Sequence, residues 1–196
     1  LAGSDAIFTA DGGSPMVWLL RHLRASGQRR FLTSLAHGTM ANAYPQALGI
    51  ALAHPDRPVI ALCGDGGLTM LLGDLLTLVQ ERIPVKLLVY NNRSLGFVEM
   101  EQRVEGLLDH YTELRNPDFE QLALACDMPA WTVRRTDELA EAMQAWLAAD
   151  GPALLDVAVN RMELVMPPQI EASQVASTAL FGAKAVLNGR ADELID

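Results

Sequence analysis

Cysteine is scarce in this 196-residue chain. Cys63 and Cys126 are the only two, too few for a disulfide framework. Both stand in apolar surroundings, so two buried, inert thiols are expected. Positive charge is also short: Lys+Arg 15 against Asp+Glu 24 gives a net charge of −9, with no basic run. That balance argues against nucleic acid as a partner and against simple electrostatic attachment to anionic lipid. There is no signal-peptide pattern and no apolar run long enough to span a bilayer, so a cytoplasmic location is the default expectation. No GxGxxG follows a first strand, which weighs against a nicotinamide cofactor. The chain opens Leu1-Ala2-Gly3 rather than with Met, and a piece of something longer is expected.

What is present is a repeated alternation of short apolar runs and helical periods. Ala6–Thr9, Arg30–Ser34, Pro58–Cys63, Val85–Tyr90, Trp131–Val133 and Ala153–Val159 read as six strands, most of them apolar or β-branched enough to be buried. Helical stretches separate them, at 15–25, from after Pro45 to about Ala53, 68–82, Phe119–Met128 and Thr136–Ala149. The expected fold is α/β, a doubly wound and mostly parallel six-stranded sheet with helices on both faces. Residues 1–162 are expected to form this domain. Residues 163–196 would add an extended Pro167-Pro168-Gln169-Ile170 segment and an amphipathic helix with Val175, Ala179, Leu180, Ala183, Val186 and Leu187 on its apolar side.

The chemistry is concentrated between Gly64 and Val98. After the third strand, Gly64-Asp65-Gly66-Gly67 reads as a turn where glycine lets the backbone bend and approach a ligand. The fourth strand ends in Asn91-Asn92. In a right-handed βαβ unit the two strands are parallel neighbours, so Asp65 and Asn92 emerge on one sheet edge. A carboxylate and a neutral carbonyl oxygen suit Mg²⁺, which takes about six oxygens at roughly 2.0–2.1 Å and shares them among a few side chains, phosphate and water. The glycine amides and a helix start can hold phosphate oxygens. The residues alone describe a Mg²⁺–diphosphate clamp; a Rossmann-type turn for another phosphate ligand is the alternative. Gly13 and Ser14, with Ser14 as helix N-cap before Pro15, either touch the diphosphate from the first turn or simply cap a helix.

Gly-Asp-Gly at 64–66 followed by Asn-Asn at 91–92 resembles the thiamin-diphosphate motif of the pyruvate oxidase, acetolactate synthase and pyruvate decarboxylase superfamily. Gly38-Thr39-Met40 resembles that superfamily's second signature. The resemblance implies that thiamin diphosphate and Mg²⁺ bind here, with Asp65, Asn92 and the Ser94 carbonyl on the metal. Gly66, Gly67 and the backbone of Leu95, Gly96, Phe97 and Val98 would lie along the diphosphate. The Gly38 carbonyl would accept from the aminopyrimidine, and Met40 would wedge beneath the bent cofactor, unless it is a core methionine. His37 is either close to substrate or structural. Phe97 is either a lid-packing aromatic or the residue that sits between thiamin and flavin in quinone-dependent pyruvate oxidases.

The closest resemblance over the chain as a whole is to the C-terminal domain of the pyruvate:quinone oxidoreductase family. It implies a parent that decarboxylates pyruvate to acetate and CO₂, with electrons passing through FAD to quinone. The pyrimidine- and FAD-binding domains would be missing from this chain, and the activating Glu would lie on the first of them. The fragment alone is expected to be inactive. A dimer or tetramer is implied, as is peripheral contact with the inner face of the cell membrane through the C-terminal end. Lys184 and Arg190 are the only basic residues of that end, which closes with Asp192, Glu193 and Asp196, a poor lipid-seeking face. Acetolactate synthase or another 2-oxo acid carboligase is the second reading, and a non-catalytic assembly domain the third.

Overall fold

The computed structural model describes residues 2–161 and 172–189. The Pro167–Ile170 segment, Arg190 and the acidic end lie outside the described residues. Two compact units form: one from the residues up to Asn92 together with Arg115–Val159, the other from Arg93–Leu114 and the residues from Asn160 onward.

The first unit is built on one sheet. Its strands are β1 (Ile7–Ala10), β2 (Arg30–Thr33), β3 (Val59–Gly64), β4 (Val85–Asn91), β5 (Ala130–Val133) and β6 (Ala153–Ala158). Their order is β2-β1-β3-β4-β6-β5, and every pairing is parallel. Alternate residues of one strand serve opposite faces. Val59, Ala61 and Cys63 of β3 and Val85, Leu87 and Val89 of β4 pack with α2 (Ala43–Ala53), α4 (Leu75–Gln80) and α6 (Phe119–Ala125). Ile60 and Leu62 pack on the other side with Leu19 of α1 (Ser14–His22) and Trp146 of α7 (Leu139–Ala148). Strands covered on both faces carry near-continuous apolar runs, which is why β3 and β4 are legible in the sequence.

Three local expectations are corrected. Ser14 is not the N-cap of α1: Gly13 is, at φ 113, a backbone conformation that glycine accepts without a Cβ clash, and Ser14 is the first helical residue. That helix ends at His22 rather than 25. The continuous helix over 68–82 is instead α3 (Asp65–Met70), a 3₁₀ turn Leu72–Asp74 and then α4. The ladder breaks at Leu71, where the Leu71 carbonyl accepts the Tyr44 hydroxyl and Gly73 follows.

The second unit contains α5 (Gly96–Val104) and α8 (Ala172–Leu187). Residues 96–98, whose backbone the resemblance sets along the diphosphate, are the first turn of α5. Among the described side chains of α8, Phe181 and Ala185 are buried, whereas Leu180, Val186 and Leu187, placed on the apolar side by the sequence, are exposed. No helix among the described residues is long and apolar enough to cross a membrane.

Candidate functional site

β1 is followed in sequence by β2 on one side of it and flanked by β3 on the other. The carboxyl ends of β1 and β3 therefore frame the point where strand order reverses, the usual ligand crevice of an open parallel sheet. Asp11 stands there, 1% exposed. Its Oδ1 accepts from the Ala43 amide at 2.8 Å and its Oδ2 from the Gly64 amide at 3.1 Å. One carboxylate thus ties the end of β1 to the start of α2 and to the end of β3. Burial pushes its pKa up to about 6, against the pull of the backbone donors from Ala43, Gly64 and Asn42.

Close approach at this edge explains two glycines. A Cβ on Gly67 would lie 2.2 Å from Asp11 Oδ2, and one on Gly12 would lie 2.2 Å from the Gly38 carbonyl oxygen. Gly66 and Gly67 are helical rather than turn residues. At Gly67, glycine is needed for close packing, not for bending.

Asp65 directly follows β3 and is buried. Its Oδ1 accepts from the Gly66 amide at 2.9 Å and its Oδ2 from Asn116 Nδ2 at 2.7 Å. Gly64 pairs with Tyr90 across β3 and β4, so Asp65 is level with Asn91, and Asn92 lies one residue further on. Asn91 ends β4. Its Oδ1 accepts from Asn116 Nδ2 at 2.9 Å, and its Nδ2 donates to Asp156 Oδ2 at 3.3 Å. Burial raises the Asp156 pKa, and the Asn91 hydrogen bond opposes it.

The signature segment before α2 sits beside this edge. Gly38 adopts φ +56, and the Thr39 carbonyl accepts from the Gly12 amide at 2.9 Å. His37, Gly38 and Thr39 are exposed, and Met40 is half-buried. Cys63 is fully buried and burial drives its thiol pKa well up, as an inert thiol requires. Cys126 is only partly buried.

The second unit carries the remaining candidates. Leu95 is the N-cap of α5, and Gly96, Phe97 and Val98 form its first turn, whose amides have no intrahelical acceptor. Ser94 is buried and its hydroxyl donates to Glu99 Oε2 at 2.5 Å. Glu99, also buried, holds Arg103 at 2.7 Å and Arg161 at 3.3 Å. This cluster fixes the turn into α5.

Residues 11–157 match the family model described as the thiamine pyrophosphate enzyme C-terminal TPP binding domain. The chain belongs to that family. Similar curated proteins include the "Putative thiamine pyrophosphate-containing protein YdaP" of Bacillus subtilis (strain 168), 34% identical over 93% of this chain and 32% of the relative. The acetolactate synthase isozyme 2 large subunit of Escherichia coli (strain K12) is 32% identical over 84% of this chain and 30% of the relative. The chloroplastic acetolactate synthase 1 of Nicotiana tabacum is 35% identical over 85% and 26%. The chain spans about a third or less of the length of these relatives.

The donor set fits the family's cofactor. Asp65 lies just past β3 and Asn92 just past β4, on adjacent parallel strand ends; a carboxylate and an amide oxygen there would be donors of the kind Mg²⁺ takes when it shares its shell with phosphate. The placement of the GDG and NN residues at neighbouring strand ends was legible from sequence. Asp11, Asn116 and Asp156 were not: each acts through a partner more than 30 positions away. The one available signal was the run Asn116-Pro117-Asp118, a pre-proline residue followed by a helix cap.

Proposed function

We propose that this chain anchors thiamin diphosphate through Mg²⁺ in a protein that decarboxylates a 2-oxo acid, with pyruvate as the substrate class. The observation that carries the reading is the placement of Asp65 and Asn92 beyond neighbouring parallel strands in a TPP-binding domain. Thiamin diphosphate, when bound, supplies the carbon nucleophile and the electron sink for decarboxylation. The protein's part is to hold and orient. Asp65 would hold the metal with its charge and Asn92 with a neutral oxygen. Asp11 fixes the distance between the Gly64 amide and the start of α2. That distance sets where Gly38 and Met40 stand for the aminopyrimidine.

The relatives named acetolactate synthase support a carboligase, in which the decarboxylated fragment joins a second 2-oxo acid. Oxidation to acetate through FAD and quinone is the second reading. It draws on Phe97, half-buried in the first turn of α5, at the position where the resemblance places an aromatic between thiamin and flavin. For either reading we further propose pyrimidine- and FAD-binding domains as partners and a homo-oligomer that brings them together with this one.

The test is anaerobic turnover of pyruvate by the protein carrying this chain, with Mg²⁺ and thiamin diphosphate, following flavin absorbance and products. Acetolactate with an unbleached flavin establishes the carboligase. Acetate with rapid bleaching establishes the oxidase. Neither product from the cofactor-loaded protein overturns the substrate class.

A further inference from the structure

The two adjacent asparagines of the motif do different work. Asn92 lies past the strand, where a metal ligand is needed. Asn91, the last residue of β4, turns its amide into a chain of side chains: Asp65, Asn116, Asn91 and Asp156. We propose that Asn116 is the positioning residue of the metal site, holding the Asp65 carboxylate in the orientation a cation needs, with Asn91 as its anchor rather than as a ligand. The inference rests on the reading of Asp65 as a metal ligand.

A carboxylate can rotate about its Cβ–Cγ bond. The Gly66 amide holds Oδ1 at 2.9 Å, and that contact alone leaves a pivot. Asn116 Nδ2 holds the other oxygen at 2.7 Å, so the carboxylate plane is fixed at both ends. The same Nδ2 also reaches Asn91 Oδ1 at 2.9 Å. A terminal amide nitrogen has two hydrogens, and here each has an acceptor. Aspartate at 116 would offer no hydrogen, and serine one.

The direction of the chain follows from its ends. Asp156 Oδ2 accepts from the Asn91 nitrogen, which leaves the Asn91 oxygen to face the Asn116 amide. Asn116 is held from behind as well. Pro117 restricts it to extended backbone, and Asp118 caps α6 by accepting from the Gln121 amide at 3.0 Å. Mg²⁺ tolerates little departure from octahedral geometry, so a misrotated carboxylate weakens binding even with its charge unchanged.

The test titrates Mn²⁺, as an EPR-visible stand-in for Mg²⁺, into the protein saturated with thiamin diphosphate. Melting of the chelated protein is measured alongside. Asn116→Ala and Asn116→Ser are expected to raise the Mn²⁺ dissociation constant about 10- to 100-fold, the usual effect of removing a ligand's hydrogen-bond partner. Their chelated melting temperatures should stay close to wild type. If the alanine variant does not fold, the serine variant decides, since its single hydrogen on a shorter side chain cannot hold Asp65 and Asn91 together. A dissociation constant within twofold of wild type in a folded variant overturns the proposal. So does a loss of metal affinity that only tracks a loss of chelated stability. Asp65→Ala is run in parallel. If it still binds Mn²⁺, the metal reading itself fails; if it does not, while the Asn116 variants bind normally, only the positioning role is refuted.

Discussion

Replacing Asp11 with asparagine separates the two things its carboxylate does. As an acceptor, Asp11 satisfies the amides of Ala43 and Gly64. Asparagine keeps one acceptor oxygen and turns an NH₂ toward the second amide, and a buried unsatisfied donor costs about 1–3 kcal/mol. As an acid, Asp11 is 1% exposed and its pKa is raised from 3.8 to about 6 by burial. A raised folded-state pKa means that the folded protein holds this proton more tightly than the unfolded chain. The associated stability is full below pH 3.8 and is lost as pH rises through about 6. Full ionisation therefore costs the wild type roughly 3 kcal/mol, most of it between pH 4 and pH 7.5. The side chain introduced by Asp11→Asn does not titrate. Other titrations occur in both proteins and largely cancel in the difference. Urea unfolding at both pH values should show the variant clearly less stable at pH 4. It should gain roughly 2–3 kcal/mol on the wild type by pH 7.5. Parallel stability curves across that range would refute the reasoning, because Asp11 would then be ionised at no cost.

Three further outcomes are expected. Gly67→Ala should lower the melting temperature although alanine is favoured over glycine in a helix by about 1 kcal/mol, because the new Cβ would sit 2.2 Å from Asp11 Oδ2; unchanged melting would mean that Asp11 can move aside. Asp65→Ala should abolish the Mg²⁺-dependent rise in melting temperature caused by thiamin diphosphate, and a rise as large as in the wild type would remove the clamp. Trp146→Phe should cost roughly 1–3 kcal/mol in urea unfolding, since it deletes the buried Trp146 Nε1 bond to the Ala153 carbonyl at 3.1 Å; no loss would show that this carbonyl finds another donor.

The sequence by itself determined the alternation of strands and helices, because strands buried on both faces must be apolar throughout and glycine, proline and polar residues punctuate them. It also determined that Asp65 and Asn92 lie at the same edge of the sheet. One right-handed crossover joins their strands, so local order in the chain fixes which edge both residues reach. Tertiary structure decided the rest. Asp11 meets Gly64 across 53 positions, Asn116 meets Asp65 across 51 and Asn91 meets Asp156 across 65. No periodicity encodes such contacts; they exist only once β1 lies beside β3, β6 lies beside β4, and the segment before α6 returns to the sheet edge. The same holds for Gly67, whose reason is a carboxylate from another strand end. It holds for Glu99 as well, which is buried between Ser94, Arg103 and Arg161. Burial makes an unpaired polar group costly, so the fold fixes the partner of each such group at a distance the linear chain does not record.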